Sequence, residues 1–139
     1  MINHQDNFNS SLPAGYDGLF DWDYLKPAFA PTKIEPMDLD AVVERHGRFL
    51  VFETKDPGTP VKKGQKITLR ALHEIGCVTI FFIEGKKKDN IEKFYTFYPN
   101  DKDPIQVDLS YDTPCNIIID ATREWFEDAC NYGNKSKKQ

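Results

Sequence analysis

Long apolar runs are absent from this chain. The longest, "CVTIFFI" at 77–83, suits a buried strand and falls far short of a membrane span, so no membrane partner is expected. Cysteine is scarce: Cys77, Cys115 and Cys130 are well separated, odd in number and form no CxxC pair. That argues against a disulfide framework or a structural zinc site, and for a reducing, cytoplasmic setting. The opening "MINHQDNFNSSLPAG" lacks the basic and apolar regions of a secretory leader. Positive charge is in deficit, with 18 Lys and Arg against 22 Asp and Glu and a net charge of −4. Such a balance counts mildly against a nucleic-acid partner, but the distribution of charge matters more than its sum.

What is present suffices for one folded domain. A chain of 139 residues can build a single core but not two. Its 40% hydrophobic and 13% aromatic content favours a packed globule over disorder. Residues 1–15 read as a flexible polar segment, 16–133 as one domain and 134–139 as a flexible basic tail. The cations are concentrated. Lys62, Lys63, Lys66 and Arg70 form one cluster, "KKK" at 86–88 another, and the tail adds Lys135, Lys137 and Lys138. Each cluster taken alone reads as a solvated face.

The patterning predicts alternating helices and strands. A short helix is expected from Asp21, capped by that residue and ended or kinked at Pro27. "MDLDAVVER" and "RFLVFETK" are strands around a His46-Gly47 turn, and "DPGTPVKKG" at 56–64 is a loop. "QKITLRALHEIG" at 65–76 is a helix with an apolar stripe of Leu69, Leu72 and Ile75, a surface His73 and a stop at Gly76. "CVTIFFIE" is a central strand. "EKFYTFYP" and "PIQVDLSY" form a second hairpin, "CNIIID" is a short strand, and "TREWFEDACNYG" is a last helix ended by Gly133, with Trp125, Ala129 and Tyr132 inward. The aromatics Tyr95, Phe97 and Tyr98 read as core, with a substrate channel or a dimer seam as the alternative. The order describes an α/β domain with a mixed sheet, in which the strands flanking the 65–76 helix are parallel neighbours.

A two-residue turn at His46-Gly47 fixes the register of the first hairpin. Glu44 then pairs with Phe49, Asp40 falls opposite Glu53, and Asp38 falls opposite Lys55. Directly opposed side chains lie roughly 5 Å apart on one face, so a single register collects Asp38, Asp40, Glu53 and Lys55. Facing carboxylates repel unless a cation stands between them. Lys55 as a salt-bridge partner is one candidate; a divalent ion is another, because carboxylate oxygens suit Mg2+. Val42 and Val51 share that face and shelter it.

These residues resemble the PD-(D/E)xK nuclease superfamily. The pieces are Pro36, Asp40, Glu53-Thr54-Lys55 and a Gln65-headed helix, and the resemblance spans about residues 17–85. The spacing looks most like small Holliday-junction resolvases and stand-alone phage or bacterial nucleases. The Pro-Asp element here is "PMDLD", with two acids; Asp40 is favoured because it faces Glu53, while Asp38 is either part of the site or beside it. The resemblance implies a restriction-endonuclease-like α-β-β-α-β core, with an extra β-hairpin and a C-terminal helix. It implies metal-dependent phosphodiester hydrolysis on DNA, with branched or structured DNA as a candidate substrate. Asp40, Glu53 and the Thr54 backbone carbonyl would hold Mg2+ or Mn2+, Lys55 would orient a water or stabilise charge on the phosphate, and Gln65 would bond near them. Helix capping is the alternative role for Gln65. Lys62, Lys63, Lys66 and Arg70 would hold the nucleic-acid backbone. An acid on the first helix often joins the family's site, for which Asp17, Asp21 and Asp23 are candidates. A homodimer is expected for paired cuts, and no nucleotide cofactor. The alternative is a catalytically silent module of the same fold that binds DNA or a protein partner.

Overall fold

The computed structural model describes residues 21–138. The chain divides into two compact units, Met1–Pro36 and Met37–Gln139. Asp17 lies outside the described residues. In the first unit a single 3-10 turn, Asp23–Leu25, leads into α1, Lys26–Phe29. Asp21 Oδ1 accepts a hydrogen bond from the Asp23 N–H at 2.9 Å, so it closes a local turn just ahead of the helix. Pro27 does not end the helix, as its sequence suggested; it sits at the start of α1, where a missing N–H costs nothing.

The second unit is a mixed five-stranded sheet in the order β1-β2-β3-β4-β5. Its strands are β1 Ala41–Arg45, β2 Arg48–Lys55, β3 Val78–Gly85, β4 Ile91–Phe97 and β5 Ile105–Gln106. Helix α2, Lys63–Glu74, crosses between β2 and β3, which run parallel as expected. Every other neighbouring pair is antiparallel. The first turn takes the predicted form: His46 and Gly47 have φ of 52° and 78°, the two left-handed residues of a primed hairpin turn. The register follows, with Val42 opposite Val51 and Glu44 opposite Phe49.

Each sheet face packs against one helix. On one face Leu50, Phe81 and Phe94 meet Ile117, Ile118, Trp125 and Ala129 of α3, Pro114–Lys138. On the other, Val51, Ile80 and Phe97 meet Leu69 of α2. Phe81 and Phe82 are adjacent in sequence and serve opposite faces, as strand periodicity requires.

Several further expectations fail. "CNIIID" is not a strand but the first turns of α3. The Thr113 hydroxyl accepts the Asn116 N–H at 3.3 Å and Pro114 stands first, so the start signal outweighs the β-branched isoleucines. Gly133 does not end that helix, which continues to Lys138, so the basic tail is helical over most of its length. A Cβ at Gly133 would lie 2.1 Å from the His46 ring; the glycine is there for close approach, not for a stop. The α2 stripe keeps Leu69 and Leu72 but exchanges Ile75 for His73: Leu72 packs against the core, His73 is buried and Ile75 is 65% exposed. The His73 ring stacks on Phe97 with centroids 3.5 Å apart, and its Nε2 lies 2.8 Å from the Tyr98 carbonyl. Tyr132 also stays outside, where its ring receives the Arg48 guanidinium at 4.8 Å.

Among the described residues no helix is long and apolar enough to cross a membrane.

Candidate active site

The site is built on the carboxyl end of β2, where the chain of β1 departs from it. Regular pairing begins only at Ala41, because Asp40 turns its side chain back into the ladder. Asp40 Oδ2 accepts the Thr54 N–H at 2.7 Å and the Thr54 hydroxyl at 2.9 Å. A carboxylate thus takes the place of a strand carbonyl at the last position of the pair. Asp40 itself remains exposed to solvent, as does Asp38.

Glu53 is the opposite case. It is 5% exposed on the α2 face of the sheet, one strand position beyond Val51 on that side. Its Oε2 accepts the Gln65 Nε2 amide at 2.8 Å. Its Oε1 is buried with no hydrogen-bond partner among the described residues. Burial, followed by the charge of Asp40 and more weakly that of Asp38, pushes the carboxyl up from 4.5 to about 7. The Asp40 backbone N–H and the Gln65 amide offset only part of that rise. Gln65 reaches Glu53 because α2 starts two residues earlier than its sequence indicates, at Lys63. That places Gln65 in the first turn, on the side facing the sheet.

Lys55 lies on the same face but serves the next loop. Its Nζ donates to the Thr59 carbonyl at 3.1 Å. The loop Asp56–Thr59 closes with a Thr59 N–H to Asp56 O bond of 3.1 Å, and Gly58 takes the left-handed φ of 77° that a Pro-Gly turn demands. Buried Glu84, the β3 neighbour of Lys55, holds the same loop by accepting the Gly58 N–H at 2.9 Å. Of the two candidates for a cation between the acids, the Lys55 salt bridge does not form: among the described residues no carboxylate pairs with Lys55. Shelter also differs from expectation, since Val51 is buried but Val42 is 47% exposed.

Glu53, Thr54, Lys55 and Gln65 therefore share the wall of one recess of about 20 Å³, room for about one water molecule or small ion. Among the described residues no group of three His, Cys, Asp or Glu side chains could hold a metal ion. The donor set nonetheless suits a hard cation that keeps waters of its own, since such ions need only one or two carboxylates. Glu53 Oε1 is an unsatisfied buried acceptor, and two neighbouring acids leave the spot short of positive charge.

Of the basic cluster, Lys62, Lys63 and Lys66 are exposed. Arg70 is already engaged: its guanidinium bonds the Lys102 carbonyl and Asp103 Oδ1, each at 3.2 Å, and lies 5.6 Å from the centre of the Phe97 ring. Asp21 and Asp23 belong to the N-terminal unit. Sequence reasoning passed over Phe82 and left Tyr95 to the core; both line a larger groove of about 470 Å³ beside the recess. The signal was available in the strand alternation, which puts Phe82 and Tyr95 on the Glu53 face. No protein-family model, curated protein or solved structure matches the chain.

Proposed function

We propose that this chain is a metal-dependent nuclease acting on DNA, with a restriction-endonuclease-like core formed by β1, β2, α2, β3 and the strands beside them. The observation that carries the reading is Glu53: a buried carboxyl with one orphaned oxygen and a pKa of about 7, beside Asp40, in one recess with Lys55 and Gln65. Structural carboxylates are normally paired, and perturbed ones gather at functional sites.

Asp40, Glu53 and the Thr54 backbone carbonyl would hold Mg2+ or Mn2+, with Asp38 close enough to add its charge. A bound ion would supply the positive charge that polarises a phosphodiester and acidifies a water. The chain's own residues do the rest. Glu53 must lose its proton to act as a ligand, which couples binding to pH. Gln65 fixes the Glu53 carboxylate in one orientation. Lys55 carries an ammonium at the mouth of the recess, where it counters charge on the phosphate. Lys62, Lys63 and Lys66 hold the nucleic-acid backbone, and Arg70 presents a guanidinium oriented in advance by Asp103. A homodimer fits a paired cut of two strands, and solution mass tests it. The free thiols of Cys77, Cys115 and Cys130 fit a cytoplasmic location.

A second reading, a silent module that binds DNA or a protein, is favoured by the engagement of Asp40 Oδ2 with Thr54 and of Lys55 with Thr59. One assay divides the two. Linear, flap and four-way-junction DNA are incubated with Mg2+ or Mn2+ and with EDTA, alongside Lys55→Ala and Glu53→Ala. The nuclease reading expects cleavage by the wild type only, and only with metal. Cleavage that survives both substitutions sinks the site; no cleavage of any substrate favours the silent module.

A further inference from the structure

The sheet register lines up Glu53, Phe82 and Tyr95 as neighbours on three adjacent strands. All three project from the α2 face, so Tyr95 stands about 10 Å from Glu53, two inter-strand spacings away. Glu53 lines the smaller recess, while Phe82 and Tyr95 line the groove of about 470 Å³ beside it. Its floor is the buried pair Leu69 and Phe97, its aromatic wall is half-buried Phe82 and Tyr95, and its cations are Lys55, Lys66 and Arg70. Lys55, Leu69 and Phe82 line both the recess and the groove, so the two adjoin.

From this arrangement we infer that the groove seats an unpaired nucleotide of single-stranded DNA, with its base against Tyr95 and Phe82 and its flanking phosphates on Lys66 and Arg70. The inference rests on the nuclease reading and names its substrate class: a single strand or a flap, not a blunt duplex. The reasoning is one of shape and charge. A base inside a duplex offers its neighbours an edge, and its faces are already stacked. Only an unstacked base can enter a concave site and offer a face to an aromatic ring. A groove of this size falls in the range that accepts a ligand of nucleotide dimensions, roughly 300–1,000 Å³. Aromatic walls with cations above them are the combination that holds a strand without reading its sequence. The cations also answer the net charge of −4: they are local to the groove, so the acidic remainder does not prevent binding there.

The test reads binding without cleavage. Anisotropy of a labelled thymidine oligomer of about ten nucleotides, within the usual site size, is measured in EDTA against a blunt duplex of equal length. The single strand should bind at least about tenfold more tightly, Tyr95→Leu should weaken it by about tenfold, and Tyr95→Phe should restore it. Exposed Lys66→Ala, which leaves the core untouched, should weaken it and lower the salt slope by about one. Equal or tighter duplex binding would overturn the groove assignment. So would unchanged single-strand affinity in a Tyr95→Leu protein that melts like the wild type. The nuclease reading fails separately: single-strand binding with these effects but no cleavage under any divalent ion retains the groove and removes the enzyme. Metal-dependent cutting of blunt duplex, indifferent to Tyr95→Leu, does the reverse.

Discussion

Gln65 Nε2 donates a 2.8 Å hydrogen bond to Glu53 Oε2, tying the first turn of α2 to the end of β2. Among the described residues it is the only side-chain hydrogen bond to the Glu53 carboxyl, whose other oxygen has no partner there. Gln65→Leu removes the only side-chain donor and should push the Glu53 pKa above its present value of about 7. Hydrogen bonds to charged groups contribute about 1.5–3 kcal/mol, so the alkaline shift should be about one to two units. A pH–rate profile of DNA cleavage, or titration of Glu53 by NMR, measures it. A profile that does not move would remove Gln65 from the site and leave it a helix-end residue.

Glu53 should make the metal-free protein less stable as the pH rises. Its pKa is 4.5 in the unfolded chain and about 7 when folded, so the folded state holds more protons between those limits. Stability then falls with rising pH across that window and is flat below it. Glu53→Gln removes the ionisation. In EDTA at about pH 8 it should gain roughly 1–3 kcal/mol in denaturant unfolding, and at about pH 4 nothing. The same variant should be inactive. A substitution that stabilises the fold and ends the chemistry is what a residue held for function produces; destabilisation at both pH values would make Glu53 a structural acid.

Divalent ions should reverse that pH dependence. Because Glu53 must be deprotonated to bind a cation, Mn2+ should raise the melting temperature more at a pH above 7 than below it. Asp40→Asn and Glu53→Gln should each lose most of the effect. A melting temperature indifferent to Mg2+ and Mn2+ over this range in the wild type would remove the metal from the proposal.

Gly133→Ala reverses an ordinary rule. In most helix interiors the change stabilises by about 1 kcal/mol, but here a Cβ would meet the His46 ring at 2.1 Å. A loss of about 1–3 kcal/mol is expected from overpacking. His46→Asn keeps a residue that tolerates the left-handed φ of 52° at the turn and shortens the side chain. The double variant should therefore lose less than the two single losses summed, and urea unfolding of all four proteins measures the coupling.

The first hairpin was legible because its turn chemistry and its alternation agree: His46-Gly47 sets the register, and every pair from Arg45–Arg48 to Ala41–Phe52 follows. The β2-α2-β3 crossover was legible for the same reason of local consistency. What escaped depends on contacts distant in sequence. Gly133 reads as a helix stop until the His46 ring is seen against it. His73 reads as a surface residue until Phe97 and the Tyr98 carbonyl take up its ring and nitrogen. In the site, strand pairing brought Asp40 near Glu53, but it could not show that Asp40 spends an oxygen on Thr54, or that Lys55 reaches Thr59 and not an acid. Backbone periodicity fixes faces; it does not fix where a long side chain ends.

The Asp40–Thr54 bond also bears on how the molecule avoids its own kind. β1 is an outer strand of the sheet, with Val42 exposed on it and Leu39 exposed just before it. An outer strand with free amides and apolar side chains is a template for a stray chain to add to. Asp40 closes the ladder at that corner by occupying the last amide with a charged group, and Asp38 follows it with a second charge. Neutralising Asp40 to probe catalysis would therefore also open a sticky edge, so the activity of Asp40→Ala should be read only on material shown to have the wild-type mass in solution.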